Sequence, residues 1–451
     1  MKSLLHQAIK ILLLSLVLIP LASQAQVEKI SYMRPSYFRP YDQTGINKFE
    51  TSKEADQVPF DGLRVRLGAG FTQQFQNLKH ENTTADNSEG ANKIYPIKPG
   101  FMTAQANLFL DVQLADGIRL NLTTYLSSRH HNETWVKGGY IQFDKLPFKG
   151  KFWDDLMKMA TIKIGHMEIN YGDAHFRRSD GGHTLYNPFM ESYIMDAFAT
   201  EIGGEIYLQK NGFFGMAGMT NGMIKGHIDS VAKTTQDDNT KRAPSLYGKV
   251  GFDKQITEIL RVRVSGSYYH NSSSAGSGLT LYSGDRTGSN YQNVMELWKD
   301  NAGAVKASTA MYASGRLNPG FSKKLDAVML NSFVKLAGFE LFGTYETAQG
   351  RTKNETNVRK ASQYAIDGLY RFGKAEKVFL GVRYNSANAT LAGQTNDITI
   401  NRFAIAGGWF IVKNVLLKAE WVDQRYKDFT ITDYRSGGKF NGYVIEAVVG
   451  F

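Results

Sequence analysis

The sequence predicts an all-β chain closed into a transmembrane antiparallel β-barrel of about sixteen strands, with eighteen as the alternative, and three observations carry that prediction. The final stretch, 439–451, places Tyr443, Ile445, Ala447, Val449 and Phe451 on one side of an extended chain and Gly442, Glu446 and Gly450 on the other, the period-two pattern of a strand with one apolar and one wet face. Segments of the same kind recur along the chain, joined by links that are alternately short and long. At the other end, Lys2 and Lys10, an apolar run from Ile11 to Leu21, and Ser23-Gln24-Ala25 before Gln26 make an export signal.

Residues 1–25 read as a secretory signal peptide, because the apolar run is too short to span a bilayer comfortably and ends in small residues. After it, no stretch approaches the roughly 20 consecutive apolar residues of a membrane helix, which leaves an exported soluble protein or a barrel. A hydrophobic content of 42%, with 23 Tyr, 27 Phe and 44 Gly against 10 Pro, favours strands, tight turns and aromatic girdles. The absence of cysteine excludes disulfide bracing. The formal charge is +11, of which Lys2 and Lys10 supply 2, leaving +9 beyond position 25. Such a surplus suits anionic solutes or lipid head groups, and export argues against nucleic acid.

Residues 26–61 hold Met33-Arg34-Pro35 and Phe38-Arg39-Pro40 and then a polar stretch to Pro59. Proline opposes ladder pairing, so this is expected to be an irregular lead-in, periplasmic or tucked into the barrel mouth. The barrel is expected over 62–451. Leu63, Val65, Leu67, Ala69 and Phe71 alternate with Arg64, Arg66, Gly68, Gly70 and Thr72, and 101–114 and the segment from Ile118 repeat the pattern around an Asp116-Gly117 turn. Further strands are expected at 134–146, 160–170, 198–210, 212–222, 244–256, 258–270, 326–336, 338–349, 361–373, 376–387, 398–411, 414–428 and 438–451.

The links at 209–212, 337–338 and 412–414 are short, whereas 77–100, 171–197, 223–243 and 271–325 are long and polar. Counting back from Phe451 at the periplasmic rim puts short turns below and long loops above. Phe152, Trp153, Leu156, Met157 and Met159 suggest one or two helical turns near 147–159. Residues 304–317 have strand character but are assigned to an external loop, since one more strand breaks the parity.

The loop 171–197 is the candidate constriction, with His175, Arg177 and Arg178, and with Asp180 and Glu191 to orient them. Folded inward, it would set up a transverse field; the plainer reading is a solvated loop whose charges pair with one another. On the walls, alternation turns Arg64, Arg66, Arg119, Lys163, Lys249, Arg261, Arg263, Lys335, Arg383, Arg402 and Lys418 to the lumen, opposed by Asp111, Glu205, Glu340, Glu346, Glu420 and Glu446. Basic groups facing lipid at mid-depth would cost roughly 2–4 kcal/mol. The excess of bases favours anions mildly, and neutralisation of lumen carboxylates is the equal alternative. His130, His131, His175 and His183 show no metal-ligand spacing, no Ser-His signature or phosphate-cradling glycine loop occurs, and neither enzymatic activity nor a cofactor is expected.

Ile162-Lys163-Ile164-Gly165-His166-Met167 before the long loop, Ala199-Thr200-Glu201-Ile202-Gly203-Gly204-Glu205 after it, and the block from Arg402 through Gly407-Gly408-Trp409 and Glu420 to Phe451 carry a resemblance. Over Gly62–Phe451 the chain resembles Gram-negative porins, and among them barrels of the phosphate-selective type and their relatives in Bacteroidota. The resemblance implies an outer-membrane location among lipid, a sixteen-strand homotrimer, and conduction of small anionic or neutral solutes past lumen Arg and Lys. No phosphate ladder maps onto these positions. The expected function is therefore a passive diffusion channel with mild anion preference. The alternative is a non-conducting barrel, an anchor, adhesin or surface-complex partner, plugged by 26–60 and long loops such as 271–325.

Overall fold

The computed structural model describes residues 38–50, 53, 60, 62–84, 94–127, 133–222, 231–273, 279, 281–285, 287–298 and 314–451. The signal peptide, the first Arg-Pro step, His130, His131 and residues 304–313 lie outside them. Sixteen long strands form one closed antiparallel sheet. They are β1 (Arg64–Glu81), β2 (Gln105–Ala115), β3 (Ile118–Leu126), β4 (Trp135–Phe143), β5 (Ala160–Glu168), β6 (Thr200–Lys210), β7 (Phe213–Thr220) and β8 (Ser245–Gln255). The second half comprises β9 (Leu260–Asn271), β10 (Lys323–Leu336), β11 (Phe339–Arg351), β12 (Arg359–Phe372), β13 (Val378–Thr390), β14 (Asp397–Val412), β15 (Val415–Lys427) and β16 (Lys439–Gly450). A two-residue piece, Gly100–Phe101, prolongs β2 along β1 at Phe75 and Gln76.

The ring closes at β1, which pairs with β16 from Gly70–Gly450 to Glu81–Lys439 and with β2 from Arg64–Gln113 to Thr72–Gln105. Phe451 extends this seam, exchanging backbone hydrogen bonds with Ala69. Each strand shows the expected two faces. On β15, Leu417 and Trp421 stand outside, while Leu416, Lys418, Glu420, Val422 and Gln424 are buried inside. Leu67, Leu108, Ile206, Leu330, Ile366, Leu380, Ile405 and Ile445 add to the outer apolar surface. Such a surface is stable against lipid and not against water.

Short hairpins sit at one end. Asn211 and Gly212 both have positive φ, 54° and 89°, the backbone a two-residue hairpin demands. The linker before β5 carries helix α1 (Lys151–Met157), with Phe152 exposed and Met157 buried, as the aromatic spacing suggests. At the other end, the connection 169–199 turns into the barrel. Ile169, Tyr171, Leu185, Phe189, Met190, Ile194 and Met195 form a hydrophobic cluster there with Leu281, Tyr282, Tyr291 and Val294 of the connection between β9 and β10. The lumen of this barrel therefore contains a core of its own.

Candidate functional site

An inward loop brings backbone amides and carbonyls out of water, and each needs a partner. The polar wall supplies them. Glu205 accepts from the Asn170 amide at 2.9 Å, Ser267 from Gly172 at 3.0 Å, Asn331 from Asp173 at 2.8 Å, Glu420 from Met190 at 2.9 Å, and Asn385 from Ile194 at 2.7 Å. Arg383 donates to the Glu191 carbonyl and Arg402 to that of Ser192, both at 2.7 Å. Lys418 meets the carbonyls of Thr184, Asn187 and Phe189 at 3.1, 3.1 and 3.3 Å and also neutralises Glu446 at 2.6 Å. The loop reaches the wall closely where side chains are missing. A Cβ on Gly70 would lie 2.5 Å from the Gly182 carbonyl oxygen, and one on Gly450 would lie 2.7 Å from the His183 ring.

The lead-in follows the same rule. Tyr41 stacks on Phe109 with centroids 4.0 Å apart and donates to Asp111 at 3.1 Å. Asn47 donates to Glu340 at 2.7 Å. Glu50 joins a buried ion cluster with Lys249 at 3.2 Å and Arg263 at 2.8 Å. Asp173 completes the cluster from the inward loop, 3.1 Å from Lys249 and 2.7 Å from Arg263, and accepts from Ser265. Two wall cations on β8 and β9 thus clamp both the lead-in and the loop. Burial alone would raise the Asp173 carboxyl; Lys249 and Arg263 overcome it and hold the group below the ordinary carboxylate value.

A second cluster ties the loop to its neighbours. Arg178 pairs with Asp196 and, at 3.1 Å, with Asp285, while Lys137 on β4 bridges Asp180 and, at 3.0 Å, Asp285. Burial raises the Asp285 carboxyl, and Lys137 and Arg178 outweigh it, leaving the group depressed. Glu191 binds Arg316, so that the connections 169–199 and 272–322 are joined by charge as well as by packing. Because Asp173 and Asp285 titrate lower folded than unfolded, their stabilisation is complete above about pH 4 and is lost as pH falls below that towards their depressed values. A denaturation midpoint level from pH 7 to about 5 and falling below about 4 is expected; a midpoint that rises on acidification contradicts it.

Of the five candidate constriction residues, His175 and Asp180 border open space, whereas Arg177, Arg178 and Glu191 are buried. Arg177 lies over the neighbouring Phe333 and Phe342 rings, hydrogen-bonded to Asn47 and 3.6 Å from Glu340. Most wall bases have acidic partners: Arg66 with Asp111, Arg119 with Asp144, Arg261 with Asp253, Lys335 with Glu376, and Arg383 with Asp367. Arg402 instead hydrogen-bonds Gln424 and the carbonyls of Ser192 and Gly315. Arg64 is half-buried at the foot of β1, opposite Gln113. Glu346 accepts from Tyr282, Tyr171 and Gln363.

Space remains on the side of β2–β6. A cavity of about 300 Å³ lies between those strands, the lead-in and the loop, bordered by Phe38, Tyr41, Phe109, Lys137, Tyr140, Lys163, Glu168, His175, Asp180, Glu205 and Tyr207. Lys163 holds its ammonium over the rings of Tyr140 and Tyr207, 5.1 and 5.0 Å from their centroids. Sequence reasoning did not single out Glu50, Lys137, Asp173, Asp285 or Arg316. The available signal was apolar content: Leu185, Phe189, Met190, Ile194 and Met195, and likewise Leu279, Leu281, Tyr291 and Val294, are too greasy for solvated loops.

No protein-family model and no curated protein matches the chain. Solved structures do match in fold. The anion-selective porin from Comamonas acidovorans is 9% identical with a TM-score of 0.50, over 86% of this chain and 100% of that one. The outer membrane channel DcaP of Acinetobacter baumannii is 10% identical with a TM-score of 0.49, over 86% and 98%. OmpT of Vibrio cholerae, in its trimer form, is 12% identical with a TM-score of 0.47, over 87% and 100%. At these identities the likeness is one of fold: the barrel is built as outer-membrane porin barrels are built.

Proposed function

We propose that the protein is an outer-membrane channel, a homotrimer by its resemblance, that passes small hydrophilic solutes by diffusion along the β2–β6 wall. The observation that supports this is the length of the cavity. Its lining runs on β6 from Thr200 to Tyr207, roughly 23 Å of strand, or roughly 16–19 Å of depth at the usual tilt. That is more than half the apolar thickness of an outer membrane. The inward loop forms its opposite bank, with His175 and Asp180 at the water and Arg177, Arg178 and Glu191 behind them. Because most lumen bases are neutralised, anion preference is mild and rests on Lys163, which faces the passage without a carboxylate in contact. Planar-bilayer reconstitution is expected to give small, regular conductance steps and a reversal potential slightly on the anion side in a salt gradient. A strongly cation-selective reversal contradicts the charge assignment.

The hydrophobic cluster inside the lumen favours a second reading, a non-conducting barrel that anchors or presents its loops. Protein that folds and inserts yet yields no steps would select it.

A further inference from the structure

The cavity along β2–β6 contains charged groups that the ion clusters leave over. Lys137 is taken by Asp180 and Asp285, Arg39 by the carbonyls of Gly45 and Phe176, and Glu50 by Lys249 and Arg263. Glu205 accepts from Asn170, Tyr207 and Tyr247. Two groups differ. Among the described residues the Lys163 ammonium makes no ion pair or hydrogen bond and meets only the faces of Tyr140 and Tyr207. At the outer end of the same strand, Glu168 borders the cavity with its side chain 35% exposed, while its inner oxygen, Oε1, is buried and accepts no hydrogen bond. His175 Nδ1 stands 3.6 Å from it, and Arg39 and Arg178 act on it only through space.

We propose that this cavity is a binding site for a short zwitterionic peptide, whose carboxylate meets Lys163 and whose ammonium meets Glu168. This deepens the channel reading and rests on it by naming the solute. A charged group that faces a cavity with no partner, as Lys163 does, or with one imidazole beyond hydrogen-bond distance, as Glu168 does, binds complementary charge strongly, since a ligand supplies charge-assisted hydrogen bonds. Length fits: both residues border the cavity from one strand, five positions and roughly 16 Å apart. Allowing for the reach of the two side chains, a peptide of roughly two to three residues at 3.3–3.6 Å each joins them. Size fits as well, because 300 Å³ lies at the lower end of the ~300–1,000 Å³ range of ligand sites. Phe38, Phe49, Phe109 and Phe176 supply apolar walls for small side chains. A simple anion would leave Glu168 unanswered, and a simple cation would leave Lys163 so.

Calorimetry on the folded protein in detergent, which needs no conductance, tests this with trialanine, its N-acetyl form and its C-terminal amide. Trialanine is expected to bind, and each capped peptide to bind more weakly by roughly tenfold or more. Lys163→Met should weaken trialanine and abolish the difference between it and the amide; Glu168→Gln should do the same for the acetylated form. No binding, capped peptides that bind as tightly as trialanine, or sensitivity to the carboxylate end alone would each overturn the proposal. The peptide caps test the ligand on the unmodified protein, so the outcome does not depend on a variant folding. Absent conductance with intact trialanine binding would sink the channel reading and spare the site.

Discussion

Arg263→Met is expected to destabilise the folded barrel by about 3–5 kcal/mol, the usual consequence of removing one partner from a buried ion cluster. The guanidinium is 1% exposed and touches Asp173, Glu50 and Asp253. Its loss leaves Lys249 facing Glu50 and Asp173 alone, so that buried negative charge exceeds positive charge where two inserted segments meet the wall. Arg263→Lys keeps the charge but loses the paired donors to both oxygens of Asp173 and should cost less. Guanidinium-induced unfolding in micelles, followed by tryptophan fluorescence, measures both. A loss for Arg263→Met within the ~0–1 kcal/mol of a surface ion pair would mean that the cluster does not clamp the lumen.

Excision of 38–50 is expected to raise single-channel conductance several-fold. These residues fill the lumen beside the cavity: Phe38, Arg39, Tyr41, Phe49 and Glu50 form its inner bank. The barrel ladders do not include them. Removing them widens the passage towards β1 and β9–β11, which Tyr41, Asn47 and Glu50 now cover through Arg66, Glu340 and Arg263. The measurement is step size in planar bilayers for shortened and full chains, with the folded state checked by its gel migration before and after heating. Unchanged steps from a folded, shortened protein would show that solute does not pass beside this segment.

The barrel itself was legible because side-chain alternation is a local signal. Leu63, Val65 and Leu67 outside, with Arg66 and Asp111 within, can be read one strand at a time, and the lengths of the links order the strands. The content of the lumen was less legible, because it depends on which distant residues meet. Lys418 looks like a channel-lining base until Thr184, Asn187 and Phe189 present their carbonyls to it. Lys137 and Asp285 are 148 positions apart and have no common motif. The apolar residues at 185–198 could have announced an inserted loop, but only a lumen of known width says where they fit. Alternation tells which residues face inward; it does not tell whether water or protein awaits them.

The contacts at the seam also constrain how such a molecule comes into being. His183 at the tip of the inward loop packs against Gly70 on the first strand and Gly450 on the last, and its ring nitrogen Nε2 bonds the Tyr41 carbonyl. The joint between the two ends of the sheet is thus formed around a segment from the middle of the chain. The loop can enter through the open mouth before or after the ends meet; in either order the seam reaches its final packing only once the loop is seated, and the first and last strands are matched to a residue that belongs to neither.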